Sequence, residues 1–494
     1  MATINDLPNE ILLHIFTYLR WRLKPVSCVC RRWDWLVVPR LRLLVRSCDD
    51  VDQGGHSFLR RSNRQYEWLM FSFSGKTAEA QAAQDRTALW VLRQFPHVKE
   101  VYCSFDDTNL MRILMFLDGL GPNVQRLTLF LSMFSRFSGE LEPFEAPSDT
   151  VSTPNMQKVL FVNMNGPRSK LIYNWFQRNA PNVDELEFHN CDQAEFMITH
   201  YSGQLKRLKI EHFFSQANYN HLKCPKLVHF TFEIEIGSAS GKPIQLDAFL
   251  QNASRIRHFE LRTSPPCQAA VRAASQLSNL EVLTLGSGIE TISFEEHDKF
   301  ATLKTFTLNC TMNDVPQLPV ARKLTILKPT SDRFYARLIF RAPNLTHLVV
   351  EKDIFINSES IVSICTGLRQ LTDLRLKIHP KAQLALKAFR SIHLLKKLQH
   401  FYISLEDITQ QRWLGCWFKK LYAPSVSIEC EYCFATLPLK DFKLLLANRR
   451  TRVLRLMRIN VAEWHRTGSV RRETAQLRPD LQLLYLDPVQ RMWY

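Results

Sequence analysis

Glycine is scarce, with 15 in 494 residues. That excludes a collagen-like chain and any long glycine-rich linker. No run of about eighteen apolar residues occurs, so no membrane-spanning helix is expected. The phosphate-cradling glycine loops, HExxH, GxSxG and the kinase signatures are all missing. Neither a catalytic residue nor a cofactor is therefore expected. Cys430 and Cys433 form a lone CxxC with no second pair at zinc-ligand spacing, so no metal site is expected. The twelve cysteines are scattered. No basic leader precedes the first apolar stretch, and Asn9, Glu10 and His14 interrupt it. The chain thus reads as non-secreted, cytoplasmic or nuclear, with reduced and mostly buried thiols.

What the chain does have is positive charge, +17 in all. Eight Arg or Lys face three Asp or Glu between Met1 and Cys48, and ten arginines face four acids between Arg449 and Tyr494. Basic ends attract acidic partners at long range. The middle of the chain is closer to balance.

The first forty residues carry two apolar sets at helical spacing. Ile11, Leu12, Ile15, Phe16 and Leu19 follow Leu7 and Pro8, and proline suits a first helical turn. Leu23, Val26, Val29, Cys30, Trp33 and Leu36 make the second set, with Pro25 at the start of its helix. The result is a helical hairpin with more apolar surface than it can hide, which calls for a partner. Leu7-Pro8, Glu10-Ile11-Leu12, Ile15-Phe16, Leu19 and the run Val29-Cys30-Arg31-Arg32-Trp33 resemble the F-box. The link Arg20–Lys24 is about one residue shorter than the family's and lacks its acidic residue. The resemblance implies binding to the Skp-type adaptor of a cullin–RING ubiquitin ligase. It implies an adaptor-contact set of Leu7, Pro8, Ile11, Leu12, Ile15, Phe16, Leu19, Val29, Cys30 and Trp33. How these divide between the adaptor and the hairpin's own core is left open by the spacing.

Behind the hairpin an LxxLxL pattern recurs. Clear copies are Val124–Leu127–Leu129, Val183–Leu186–Phe188, Leu205–Leu208–Ile210, Ile256–Phe259–Leu261, Leu280–Leu283–Leu285, Leu345–Leu348–Val350 and Leu398–Phe401–Ile403. Ala321–Leu324–Ile326 is a weaker one. Most copies start about 22 to 32 residues apart, with helix-like stretches between them. Ala-Pro-Asn before Val183 and Leu345 ends a helix and starts a strand. This pattern resembles the leucine-rich repeat family over most of residues 96–490. That family places an Asn or Cys eight positions after the first anchor; Cys191 stands there once, and most copies lack it. The implied fold is α/β: a small N-terminal helical F-box, then an irregular solenoid with a parallel sheet on its concave face. Residues 1–40 are read as the F-box, 41–95 as linker and degenerate first repeats, and 96–490 as the solenoid. Thr77–Phe95 reads as a helix, Leu41–Val45 and Trp68–Phe73 as strands, and Asn460–Pro479 as a basic polar segment.

Residues between the anchors point away from the core. They form polar columns of mixed sign, which suit a protein partner better than a phosphate backbone. The candidate target-binding residues are Arg207, Lys209, His229, His258, Arg262, His347, Arg375, His400 and Tyr402. Taken together, these features read as a non-catalytic substrate-recognition subunit of an SCF-type ligase. The alternatives are a non-degradative adaptor-bound scaffold, or a nucleic-acid-associated protein using the arginines of 449–478.

Overall fold

The computed structural model describes residues 4, 7–17, 26, 29–37, 42–46, 66–74, 77–105, 110–131, 153–166, 169–212, 219–234, 246–263, 268–294, 299–312, 314–329, 334–353, 356–378, 388, 390–405, 421, 423–430, 435–461 and 467–486. Residues 47–64 and 138–152, and Arg20–Lys24, lie outside them.

Alternating apolar residues in a strand all turn to one face. Trp68–Phe73 and Glu100–Phe105 accordingly alternate between half-buried and buried side chains along their whole length. Register then stacks equivalent anchors. Leu69, Val101, Leu127, Val159, Leu186 and Leu208 form one inward column; Phe71, Cys103, Leu129, Phe161, Phe188 and Ile210 form the next. Each is buried, and burying such an apolar side chain is worth about 1.5–3 kcal/mol. Phe73 and Phe105 stack at 4.3 Å, and Phe116 meets both edge-on.

The chain divides into two compact units, Met1–Thr231 and Phe232–Tyr494. In the first, Arg42–Arg46, Trp68–Phe73, Glu100–Phe105, Arg126–Leu131, Lys158–Val162, Glu185–His189 and Arg207–His212 pair in chain order, always parallel. In the second, His258–Arg262, Val282–Ile292, Thr305–Met312, Lys323–Pro329, His347–Asp353, Asp373–Ile378, His400–Leu405, Ser425–Cys430, Val453–Met457 and Gln482–Leu486 do the same. Sequential parallel pairing with helices or turns between strands is the α/β solenoid. The stretch after the hairpin supplies the first two strands. The helix Ala78–Gln94 follows, capped where the Thr77 hydroxyl accepts the Ala80 N–H.

Two sequence readings change. The polar stretch after Asn460 contains a helix, Thr467–Leu477, anchored by the buried Val470 and Thr474. The helix-like stretch Ser358–Leu371, one of those between the LxxLxL copies, is helical only as far as Gly367.

Backbone and side-chain amides bind successive repeats at the strand entrances. The Lys99 carbonyl accepts the N–H groups of both Gln125 and Arg126, and the Gln125 carbonyl accepts those of Gln157 and Lys158. In the second unit the Lys304 carbonyl does the same for Arg322 and Lys323. Side chains reinforce this. The amides of Asn123, Asn155 and Asn182 donate to the carbonyls of Pro96, Pro122 and Pro154, at 2.9, 3.0 and 2.8 Å. Asn344 donates to Pro319 in the same way. The Pro-Asn phrase is therefore an inter-repeat bond as well as a helix stop. At the other end of its strand, the Cys191 thiol donates to the carbonyls of Phe161 and His189.

Gly367 closes its helix against Ile339. A Cβ there would lie 2.2 to 2.7 Å from three Ile339 side-chain carbons. Alanine gains about 1 kcal/mol of helix propensity, but overpacking costs about 1–3 kcal/mol, and one branched side chain cannot clear three such contacts. Gly367→Ala is expected to lower the unfolding free energy by about 1 kcal/mol. Gly121→Ala, with nothing within 4 Å, is expected not to lower it. Chemical denaturation of both variants checks this.

Candidate functional site

The hairpin has a core of its own. Helix Asn9–Thr17 contributes Leu12 and Phe16, helix Arg31–Val37 contributes Trp33, Leu36 and Val37, and Val26 closes the cluster. Phe16 and Trp33 meet edge-on, 5.1 Å between ring centroids, a geometry that adds about 0.5–1.5 kcal/mol to burial. Arg32 ties the two helices together. Its Nε and Nη2 donate to Asn9 Oδ1 at 3.0 and 2.8 Å, and Nη2 also donates to the Leu7 carbonyl at 2.5 Å. The Leu7-Pro8 turn is thereby fixed.

Pro25, read as the start of the second helix, lies outside the described residues. Val26 is helical, and its carbonyl accepts the Val29 N–H. A separate helix then opens where the Cys30 carbonyl accepts the Asp34 N–H. Val29 is left between them, off either helix and 58% exposed.

This geometry divides the sequence-derived contact set. Leu12, Phe16 and Trp33 face inward, at 0, 2 and 9% exposure. Ile11 is 47% exposed and Pro8 is exposed beside it. Leu7, Ile15 and Cys30 are half-buried at the margin. Leu19 lies outside the described residues. Ile4, absent from the sequence reading, adds a further exposed apolar side chain at 49%. Spacing alone could not separate Leu12 and Phe16 from Ile11 and Ile15, because both pairs are four apart on neighbouring helix faces.

On the sheet faces, register confirms the expected columns. Arg126, Lys158, Glu185 and Arg207 align. His258, Val282, Thr305, Lys323, His347, Asp373 and His400 align in the second unit. Most candidate cations are paired locally. Arg207 meets Glu185 at 3.4 Å and Lys209 meets Glu211 at 3.0 Å. Arg262 lies 2.5 Å from Glu260 and 3.5 Å from Glu233, and Arg375 lies 3.1 Å from Asp373. The Tyr402 hydroxyl donates to the Glu429 carboxylate. His258 stands four strands from His347, and Asp373 separates His347 from His400, so these histidines do not gather. His229 and His258 are half-buried, while His347 and His400 are exposed. The sequence reading missed Arg257, Arg322 and Lys323, all exposed at the strand entrances of the second unit. Its weak Ala321–Leu324–Ile326 copy left Lys323 out of the column that register gives it.

The basic C-terminal stretch also resolves. Arg478 donates to the carbonyls of Leu446, Asn448 and Thr451 and to both oxygens of Asp480. It is a structural cross-link. Arg449 sits in a turn and Arg455 on a strand, so the run does not share one face. Among the described residues no helix is long and apolar enough to cross a membrane, and no group of three His, Cys, Asp or Glu could hold a metal.

The division of the hairpin is open to measurement. Phe16→Ala and Trp33→Ala are expected to cost about 3–5 kcal/mol. Ile11→Ala and Val29→Ala are expected to stay within about 0.5 kcal/mol. Burial pushes the thiols of Cys191, Cys224, Cys310 and Cys365 up to about 12, and that of Cys103 well above its ordinary value. Cys30 is half-buried. Among the described cysteines, Cys30 is expected to be alkylated first by a maleimide at about pH 7, read by peptide mass mapping.

Residues 4–41 match the F-box-like family. No curated protein matches the chain in sequence. Among solved structures, an internalin from Listeria monocytogenes is similar at 12% identity and a TM-score of 0.33, over 61% of this chain and 80% of its own. A TLR13–ssRNA13 complex gives 12% and 0.44, over 84% and 65%. A leucine-rich-repeat protein of Leptospira interrogans gives 12% and 0.34, over 86% and 97%. The repeat assignment rests on anchor spacing and strand register. The chain is an F-box-like segment followed by parallel α/β repeats of the leucine-rich type.

Proposed function

We propose that this chain is the substrate-recognition subunit of an SCF-type cullin–RING ubiquitin ligase. The hairpin binds the Skp-type adaptor, and the repeats hold a protein target. The observation that carries this reading is the divided hairpin: a closed core of Leu12, Phe16 and Trp33 beneath exposed Ile4, Ile11 and Val29. An exposed apolar set on so small a unit is stable in water only marginally, and a docking partner covers it. The basic balance of Met1–Cys48, eight Arg or Lys against three Asp or Glu, favours an acidic partner.

In this role the chain performs no bond chemistry. It raises the effective concentration of target lysines near the activated ubiquitin, in the cytoplasm or nucleus. A non-degradative scaffold would bind the adaptor equally well, and target half-life with and without the hairpin separates the two. Nucleic-acid binding through 449–478 is less well supported, because Arg478 is committed to internal carbonyls.

Co-purification with the adaptor tests the proposal. Ile11→Glu with Val29→Glu is expected to abolish capture without shifting the melting temperature, since both side chains lie outside the core. Leu7→Ala with Pro8→Ala is expected to do the same to capture. Undiminished capture by both double variants overturns the assignment.

A further inference from the structure

The strand entrances of the two units differ in charge balance. In the first unit entrance cations are paired with nearby acids. Lys99 meets Glu67 at 2.7 Å, Arg126 meets Glu100 at 2.7 Å and Lys206 meets Asp184 at 2.7 Å. In the second unit Arg257, Lys304, Arg322 and Lys323 share the same edge with one carboxylate, Glu281. Lys304 takes that carboxylate at 3.1 Å. Lys304, Arg257 and His258 together hold the Glu281 carboxyl below its usual range. Arg257, Arg322 and Lys323 pair with no carboxylate among the described residues.

Glu281 offsets only one of these four charges, and the remaining like charges repel unless something anionic covers them. Strands lie about 4.8 Å apart, so the three intervals from Arg257 to Lys323 span about 14 Å. An extended segment of about four residues has that length. Between the cations the sheet face carries Thr305, Thr307 and Thr325, small half-buried side chains that leave the cations accessible. Val282, Thr284 and Val349 lie on the same face beside His258, Glu260 and His347, and among these described residues there is no Phe, Tyr or Trp.

We propose that this edge binds an extended, Asp/Glu-rich segment of a protein partner, with Arg257, Lys304, Arg322 and Lys323 as its anchors. The inference rests on reading the repeats as the target-holding part, and it gives the target a chemistry: a carboxylate run of about four residues.

The test uses the full chain and two fluorescein-labelled peptides, one alternating Glu and Ser, the other Gln and Ser, read by anisotropy. The Glu peptide is expected to bind at least about tenfold tighter, and to weaken as salt rises. Arg322→Ala with Lys323→Ala is expected to lose about tenfold. These side chains are exposed, so the variant should fold, and its melting temperature checks that. Arg449→Ala with Arg452→Ala is expected to leave binding unchanged, which excludes mere net charge. Equal binding of both peptides overturns the proposal, as does an equal loss in both double variants. So does preferential binding of a thymidine oligonucleotide that the Arg322/Lys323 variant loses. Adaptor capture is measured on the same samples. Loss of peptide binding with capture intact ends this inference alone; loss of capture with peptide binding intact ends only the ligase assignment.

Discussion

At most of the described strand entrances one carbonyl accepts two N–H groups from the following repeat, and a turn amide often adds a third bond from that same repeat. This stitch sets register. Because side chains alternate along a strand, a slip of one residue would turn every anchor outward. The stitch therefore protects the buried columns of Leu, Val and Phe, and equally the outward columns that carry the polar residues. It also localises variation. Register is fixed where a strand begins, so connections beyond its end can differ in length. The interval from Arg126 to Lys158 is longer than that from Glu185 to Arg207, yet both pairs align.

The outward columns follow from this geometry, and their chemistry differs between units. In the first, Lys158, Glu185, Glu187, Arg207, Lys209 and Glu211 form local ion pairs. Exposed pairs of this kind add little stability, but they leave the face close to neutral. At the entrance edge of the second unit a single carboxylate, Glu281, stands against four cations, so cancellation is partial. Its positive charge is a property of particular strands, which total composition does not reveal.

Much of the fold was legible in the sequence because the anchors alternate so regularly. The strands at 68–73, 185–189 and 400–405 lie where LxxLxL or its degenerate forms place them. What was not legible depends on bonds between distant residues. The missing Asn after most anchors looked like irregularity; the Pro-Asn turns make inter-repeat bonds at the opposite end of the strand. The helix Thr467–Leu477 was hidden because its buried side includes threonine, Thr474, whose hydroxyl bonds back to the Val470 carbonyl. In the hairpin, helical spacing found the apolar residues but could not say which face they take. The break between Val26 and Arg31 decides that for Val29.

The Arg32 guanidinium spans residues more than twenty positions apart to grip Asn9 and the Leu7 carbonyl. Without it the Leu7-Pro8 turn would sample many arrangements, and a partner would have to select among them. With it, the Leu7-Pro8 turn is held in one arrangement in the free chain. A partner seated on that turn would lose little ordering entropy at the moment of contact.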